Sequence, residues 1–405
     1  MKFGRNWGRL GMTSEWTTIR AADFIEFNPK MSIKKGAIAT KIAMDKLQPF
    51  TKKIPATEKA EFGGGAKFSN GDTIMARITP CLENGKTAFV DVLAEGEVAF
   101  GSTEFIVMRA REGISDPQFV YYLATSQAFR NVAIKSMVGS SGRQRVQQGV
   151  LDDLELSVPS LEVQQEIGAF LAMLDQKIAL NNELNDNLEQ QAQSYFQELF
   201  VDNADPEWTV GTISDLGAVV GGSTPSKAKS EYYTESGIAW ITPKDLSINK
   251  SKFISRGEND ITELGLKNSS ASIMPEGTVL FSSRAPIGYI AIAAGEVTTN
   301  QGFKSVVPKS EIGTPFVYFF LKHNLPVIEG MASGSTFKEV SGSTMKNIPV
   351  IIPDTETLAR FNDFCTPIFA QQRFLEKQNQ ALATARDNLL PKLMSGEIDV
   401  SGIQL

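Results

Sequence analysis

The 405-residue chain is 42% hydrophobic and 21% charged, the balance of a soluble globular protein, and it is too long for one ordinary core, so two or more domains are expected. No apolar run of about 18 residues is present to span a membrane. Its two cysteines, Cys81 and Cys365, form no CxxC pair, which fits a reducing cytoplasm and excludes a cysteine-built zinc site. The net charge of −6 argues weakly against a nucleic-acid partner, but the distribution is uneven. Residues 1–158 carry 21 basic and 17 acidic side chains, whereas residues 159–200 carry 1 and 7.

Along the chain, MKFGRNWGRLGMTSEW lacks the apolar centre of a signal peptide, so a cytoplasmic protein is expected. Residues 77–90, RITPCLENGKTAFV, resemble the tail of an ATP-binding phosphate loop. That loop needs a glycine five residues before the Gly-Lys pair, where this chain has Pro80, with no N–H and a fixed φ. A helix should follow Thr87 to face the phosphates, but AFVDV is a strand pattern. The segment reads as a hairpin turn, and no ATP is expected here. Residues 119–136, FVYYLATSQAFRNVAIKS, read as one helix, and residues 154–159, LELSVP, as a strand. In the second half TVLFSS, YIAIAA and KSVVP read as further strands. The single histidine, His323, ends an apolar run, so neither a Ser-His-Asp triad nor a His-rich metal site is expected. Gly63-Gly64-Gly65 reads as a flexible loop. No catalytic constellation, metal site or cofactor is expected.

The chain repeats itself. Glu15-Trp16-Thr17 recurs as Glu207-Trp208-Thr209, and Asp23 recurs as Asp215, at an offset of 192. Val146, Leu154, Leu156 and Pro159 recur as Val340, Ile348, Val350 and Pro353, at an offset of 194. Arg77-Ile78-Thr79-Pro80 is matched to Arg284-Ala285-Pro286, where the turn is shorter and the lysine is missing. After each Pro-ended strand comes a ladder of alternating four- and three-residue spacings. The first runs Ile167, Leu171, Leu174, Ile178, Asn181, Asn185, Leu188, Ala192, Tyr195, Leu199, and the second runs from Phe361 to Leu393 at the same steps. Such a ladder is a coiled-coil seam, with Asn181, Asn185 and Asn379 fixing register. About forty helical residues span about 60 Å, and the second helix must run back along the first. The expected fold is therefore mixed α/β, with two similar domains at opposite ends of an antiparallel two-helix coiled coil, related by an approximate two-fold axis. Expected boundaries are 1–158 and 202–353 for the domains, 159–201 for the first helix, and 354–405 for the second helix and tail.

Both halves open on Glu-Trp and end in LELSVP or IPVIIP before a long helix. Together with Ile238-Ala239-Trp240-Ile241 and Asp245, and Thr299-Asn300-Gln301-Gly302, this resembles the DNA-specificity subunit of type I restriction–modification enzymes over nearly the whole chain. The first half departs, with Gly101-Ser102-Thr103-Glu104 in place of Asn-Gln-Gly. The resemblance implies a non-catalytic subunit whose two target-recognition domains each read half of a bipartite, asymmetric double-stranded DNA sequence. The helices would set the gap and dock two methyltransferase (modification) subunits, with a separate motor–nuclease (restriction) subunit carrying ATP. A non-catalytic protein–protein scaffold, two α/β heads on a coiled coil, is the competing reading.

The expected DNA contacts follow from position and residue type. A Gly-Ser-rich loop precedes the last strand of each half, with Arg143, Gln144 and Arg145 in the first and Thr336 and Lys338 in the second. Small residues let backbone N–H groups approach phosphates, while Arg and Gln suit bidentate contact with guanine and adenine edges. Arg77 and Arg284 enter the matched turns, Lys86 lies in the first turn, Lys244 follows Ile238-Ala239-Trp240-Ile241, and Asn300 and Gln301 supply an amide pair.

Overall fold

The structure, a computed structural model, describes residues 16–334 and 338–398. Two compact units emerge, one of Met1–Leu180 with Asn379–Leu405 and one of Asn181–Gln378, so each unit takes a stretch of both long helices.

In the first unit β1 (Thr17–Arg20) leads through α1 (Ala21–Phe24) into β2 (Ile25–Phe27). There follow β3 (Ile38–Ile42), β4 (Glu58–Glu61), β5 (Lys67–Phe68), β6 (Thr73–Ala76), β7 (Thr87–Phe89), β8 (Ala99–Gly101) and β9 (Phe105–Ala110). They form two four-stranded sheets, β2-β9-β6-β7 and β4-β3-β8-β5. All four residues of β6 are buried, because successive side chains point to opposite faces and both faces are covered, with Met75 in one core and Ile74 in another. The GKT segment lies in the connection from β6 to its antiparallel neighbour β7, so it is a hairpin turn and not a phosphate loop.

α2 (Pro117–Thr125) and α3 (Gln127–Lys135) replace the single helix expected over 119–136. α2 starts at Asp116, whose carboxylate accepts from Phe119 N at 2.9 Å, with Pro117 at the first helical position. The break is at Ser126, which is extended (φ −61°, ψ 146°) and whose hydroxyl accepts from Phe129 N at 3.3 Å. Serine caps the second helix better than it fills the interior of one. α4 (Gln148–Asp152) separates the Gly-Ser loop from β10 (Glu155–Val158), which returns to pair with β1.

α5 (Leu161–Gln197) ends in a π-helical turn at Glu198–Asp202. The second unit then runs β11 (Thr209–Thr212), α6 (Ile213–Leu216), β12 (Gly217–Gly221), β13 (Tyr233–Thr234), β14 (Ile238–Ile241), α7 (Pro243–Ile248), β15 (Phe253–Ile254), β16 (Asn259–Ile261) and α8 (Glu263–Lys267). It continues through β17 (Val279–Ser283), β18 (Ile287–Ala293), β19 (Thr298–Thr299), β20 (Lys304–Pro308), α9 (Thr314–His323), α10 (Leu325–Gly330), α11 (Gly342–Lys346), β21 (Pro349–Ile352) and α12 (Thr355–Met394). The order β12-β20-β17-β18 reproduces β2-β9-β6-β7, with β15 added at the edge. Ile19 lies opposite Leu156 as Gly211 lies opposite Val350; these are the offsets of 192 and 194 at which the halves match in sequence. The repeat is structural.

All twenty ladder positions are buried or half-buried. In the first unit Leu171 and Leu393 share a core, and Asp175 pairs with Arg386 at 2.5 Å. In the second, Tyr195 meets Phe361 and the Asn181 amide donates to Gln378 Oε1 at 2.8 Å. Within each unit, numbers on α5 rise as those on α12 fall, so the strips run antiparallel. Phe196 faces Phe316, Phe319 and Phe361 at ring separations of 5.9 Å each. His323 packs 6.0 Å from the same ring.

Matched lysines tie each sheet to the helices. The carbonyls of Lys52 and Lys252 accept from Phe89 N and Ile292 N, equivalent positions on β7 and β18. Lys52 Nζ lies 3.3 Å from the Tyr122 hydroxyl, which donates to Asp175 on α5 at 2.5 Å. Lys252 Nζ donates to Glu189 on α5 at 2.7 Å and Gln372 on α12 at 2.9 Å. Burial lowers each ammonium to about 8.

Candidate nucleic-acid interface

In each unit three loops meet beside the sheets. In the first, Arg77 N donates to Glu104 O at 2.9 Å, Val146 N to Arg77 O at 2.9 Å, and Thr79 N to Gln144 O at 3.0 Å. These bonds join the β6–β7 turn, the segment after β8 and the Gly-Ser loop. In the second, Ser283 N donates to Gly302 O at 2.7 Å and Val340 N to Ser283 O at 3.0 Å. The same three loops are joined the same way.

This hydrogen bonding corrects the match between the turns. Arg77 stands where Ser283 stands, and Ile78 where Arg284 stands, one residue away from the sequence match. The turns differ in length, and the backbone bonds to Glu104 and Gly302 decide the register. Ser102-Thr103-Glu104 stands where Asn300-Gln301-Gly302 stands, because Ile42 pairs with Gly101 as Ile241 pairs with Thr299.

A cleft opens at this junction in both units. The first, of about 330 Å³, is lined among others by Asn28, Gly65, Lys67, Arg77, Thr103 and Phe105. Gly65 is not simply flexible: at φ +121° it lies so close that a Cβ would sit 2.0 Å from the Gly101 carbonyl oxygen. The second cleft, of about 520 Å³, is lined among others by Thr224, Trp240, Lys244, Arg284, Asn300 and Gln301. The structure thus brings Lys244, Arg284, Asn300 and Gln301 together, and places Arg77 alone of the first-half candidates in the other cleft. Asn28, Lys67 and Thr224 were missed by the sequence reading, although Thr224 directly follows Gly221-Gly222-Ser223 and Lys67 follows the Gly63-Gly64-Gly65 run.

The candidates differ in what already holds them. Arg77 Nη2 donates to Val146 O at 3.1 Å, while its buried Nε has no partner. Lys86 is half-buried and donates to Met44 O at 2.9 Å. Arg143 is exposed, and its guanidinium makes no hydrogen bond or ion pair among the described residues. Gln144 is half-buried beside it. Arg145 Nε donates to both Glu104 oxygens at 3.0 Å, and Nη2 donates to Oε1 at 2.7 Å. The Arg145 hydrogen bonds hold the Glu104 carboxyl below its usual range. Lys244 pairs with Glu258 at 2.6 Å, and Arg284 with Glu339 at 3.6 Å. Asn300 Oδ1 accepts from Gly302 N at 2.8 Å, and Gln301 Oε1 accepts from the Thr224 hydroxyl. Lys338 is exposed, and Thr336 lies outside the described residues. Asp245 turns out to be a cap: its Oδ2 accepts from the Thr242 amide and hydroxyl at 2.7 and 2.6 Å, and its Oδ1 from Glu258 N at 2.8 Å. It orients α7 and with it Lys244. Among the described residues no cluster of three His, Cys, Asp or Glu is placed to hold a metal, and no helix is long and apolar enough to cross a membrane.

Comparison with known proteins now bears on what this junction meets. A sequence profile described as the type I restriction modification DNA specificity domain matches twice, at residues 13–190 and 206–384. The MjaIX type I restriction enzyme specificity subunit of Methanocaldococcus jannaschii is 40% identical over 191 residues, covering 45% of this chain and 44% of that one. The HindI specificity subunit of Haemophilus influenzae is 26% identical over 410 residues, covering 82% of this chain and 87% of that one. A crystal structure of a type I restriction–modification S subunit from M. genitalium superposes with a TM-score of 0.58 at 16% identity, covering 95% of this chain and 97% of that one. It shares the fold.

Proposed function

The chain belongs to the family of type I restriction–modification DNA specificity subunits, and from that premise we propose that its two clefts and adjoining loops each read one half of a bipartite double-stranded DNA target. The observation that carries this reading is that the same three-loop junction is built twice and furnished differently. Arg77 and Thr103 line one cleft, and Arg284, Asn300 and Gln301 line the other. A shared frame with different hydrogen-bonding groups suits recognition of two unlike sequences, since bases are told apart by donor and acceptor patterns.

In this reading Arg143 and Gln144 face bases of the first half-site, Arg284, Asn300 and Gln301 those of the second, and Lys338 a phosphate. The paired helices fix the separation of the half-sites, as rigid dimeric readers do, and offer docking surfaces to two methyltransferase subunits. A motor–nuclease subunit supplies cleavage, and this chain performs no chemistry. The net charge of −6 means few phosphate contacts of its own, because affinity grows with the number of basic contacts.

A salt titration of duplex binding by the full chain, with and without its methyltransferase subunits, tests the reading. Weak, salt-sensitive binding alone that tightens and becomes sequence-specific in the complex supports it. A pure protein scaffold would bind no duplex in either form.

A further inference from the structure

The two junctions carry their charges in opposite places. The isolated bridges Ile78–Arg145 and Val138–Arg145 in the first unit correspond to Arg284–Glu339 and Ser333–Glu339 in the second. Arg145 and Glu339 therefore occupy one position, and Glu104 and Gly302 another. In the first unit the base sits on the Gly-Ser loop and the acid on the segment after β8, clamped by three hydrogen bonds of 2.7–3.0 Å. In the second the acid sits on the loop and is met more loosely, by Arg284 at 3.6 Å and Lys304 at 3.4 Å.

An arginine whose Nε and Nη2 are spent on a carboxylate cannot also present that fork to guanine or phosphate. Arg143, two residues away, has no such partner. Glu104 is fixed at its other end, since its N–H donates to the Ser102 hydroxyl oxygen at 3.1 Å and its carbonyl accepts from Arg77 N at 2.9 Å. We propose that Glu104 is a positioning residue: it withholds Arg145 from DNA and anchors the 139–145 loop so that Arg143 and Gln144 are the side chains presented. The inference rests on the reading of this loop as a DNA contact. Glu339 marks the corresponding point in the second unit, where the loop is held from the other side of the charge pair.

The test uses the full chain and a random-sequence duplex, with binding measured between about 50 and 200 mM salt. Freeing one guanidinium adds one phosphate contact, which steepens the log–log salt slope by about 0.9. Glu104→Gln is expected to show that steepening and tighter binding at low salt. Glu104→Gln/Arg145→Gln is expected to return the slope to its starting value, because the freed cation is gone. Arg143→Ala, whose partner in this reading is a base, is expected to leave that slope unchanged and to lower methylation at targets carrying the first half-site. If Glu104→Gln leaves the slope unchanged, or if the double variant stays steep, the positioning role is overturned. If Arg145→Gln alone flattens the slope, Arg145 already contacts phosphate and the proposal fails. Unchanged methylation of the target in Arg143→Ala removes the loop as the reader, and the proposed reading of the first half-site falls with it.

Discussion

Replacing Glu189 by glutamine would remove a carboxylate that two lysines share inside the second unit. Glu189 Oε2 accepts from Lys252 at 2.7 Å, and Oε1 accepts from Lys322 at 2.5 Å and the Tyr318 hydroxyl at 3.1 Å. Its side chain is 19% exposed and that of Lys252 is 7% exposed. Burial alone would raise Glu189, but Lys252 and Lys322 bring it down from 4.5 to about 2, a gain of about 3 kcal/mol at 1.36 kcal/mol per unit. Burial lowers Lys252 from 10.5 to about 8 even with Glu189 beside it, a penalty of about the same size. The two offset, so the intact pair contributes little, whereas breaking it leaves a buried ammonium and costs about 3 kcal/mol. Urea unfolding at pH 7, followed by circular dichroism, should show Glu189→Gln destabilised by that amount. Glu189→Gln/Lys252→Met should recover most of it. The pH dependence has a definite sign. In the wild type the Glu189 contribution is complete above pH 4.5 and is lost as pH falls toward 2. In the variant Lys252 loses the group that raised it, so its folded pKa drops below 8 while the unfolded value stays at 10.5. The unfolded state then binds more protons between those values, and stability rises with pH. The deficit should therefore shrink from pH 7 to pH 9. A variant within about 0.5 kcal/mol of wild type at pH 7, or a deficit that grows with pH, would refute the reasoning.

Other expectations concern the DNA. Arg143→Ala or Gln144→Ala should cost about 1–3 kcal/mol of specific binding, confined to the first half-site, with subunit assembly intact by size-exclusion chromatography. Lys338→Ala should weaken all sequences alike and flatten the salt slope by about 0.9. Seven residues inserted into α5 near Asn185, with seven opposite them in α12, add about 10 Å of helix. That should lengthen the spacer between half-sites by about three base pairs while both half-site sequences stay the same, as read from a methylation map.

The repeat, the strand-rich halves and the helix pair were legible because each is written in periodic or duplicated apolar positions. Ile167 and Phe361 can be recognised as equivalent without knowing what they touch. The break at Ser126 was not legible, since serine fits a helix interior or a cap and only the capped Phe129 N–H decides between them. The offset between Arg77 and Arg284 was hidden by turns of unequal length, where backbone bonds to Glu104 and Gly302 set the register. The burial of Lys52 and Lys252 left no local trace. The ring of Tyr122 that faces Lys52 comes from 70 residues on, and Glu189 lies 63 residues before Lys252. At the candidate site residue type found Arg284, Asn300 and Gln301, but it could not distinguish Arg143 from Arg145. That difference lies in Glu104, 41 residues before Arg145.

The central claim, that the two modules read separate half-sites, is tested most directly by exchanging residues 202–353 for those of a relative. The methylation map of a strain carrying the hybrid with its methyltransferase subunits is then compared with that of the parent. The account requires one half-site to change while the other half-site and the spacer stay as they were. A change in both half-sites, or in neither, would contradict it.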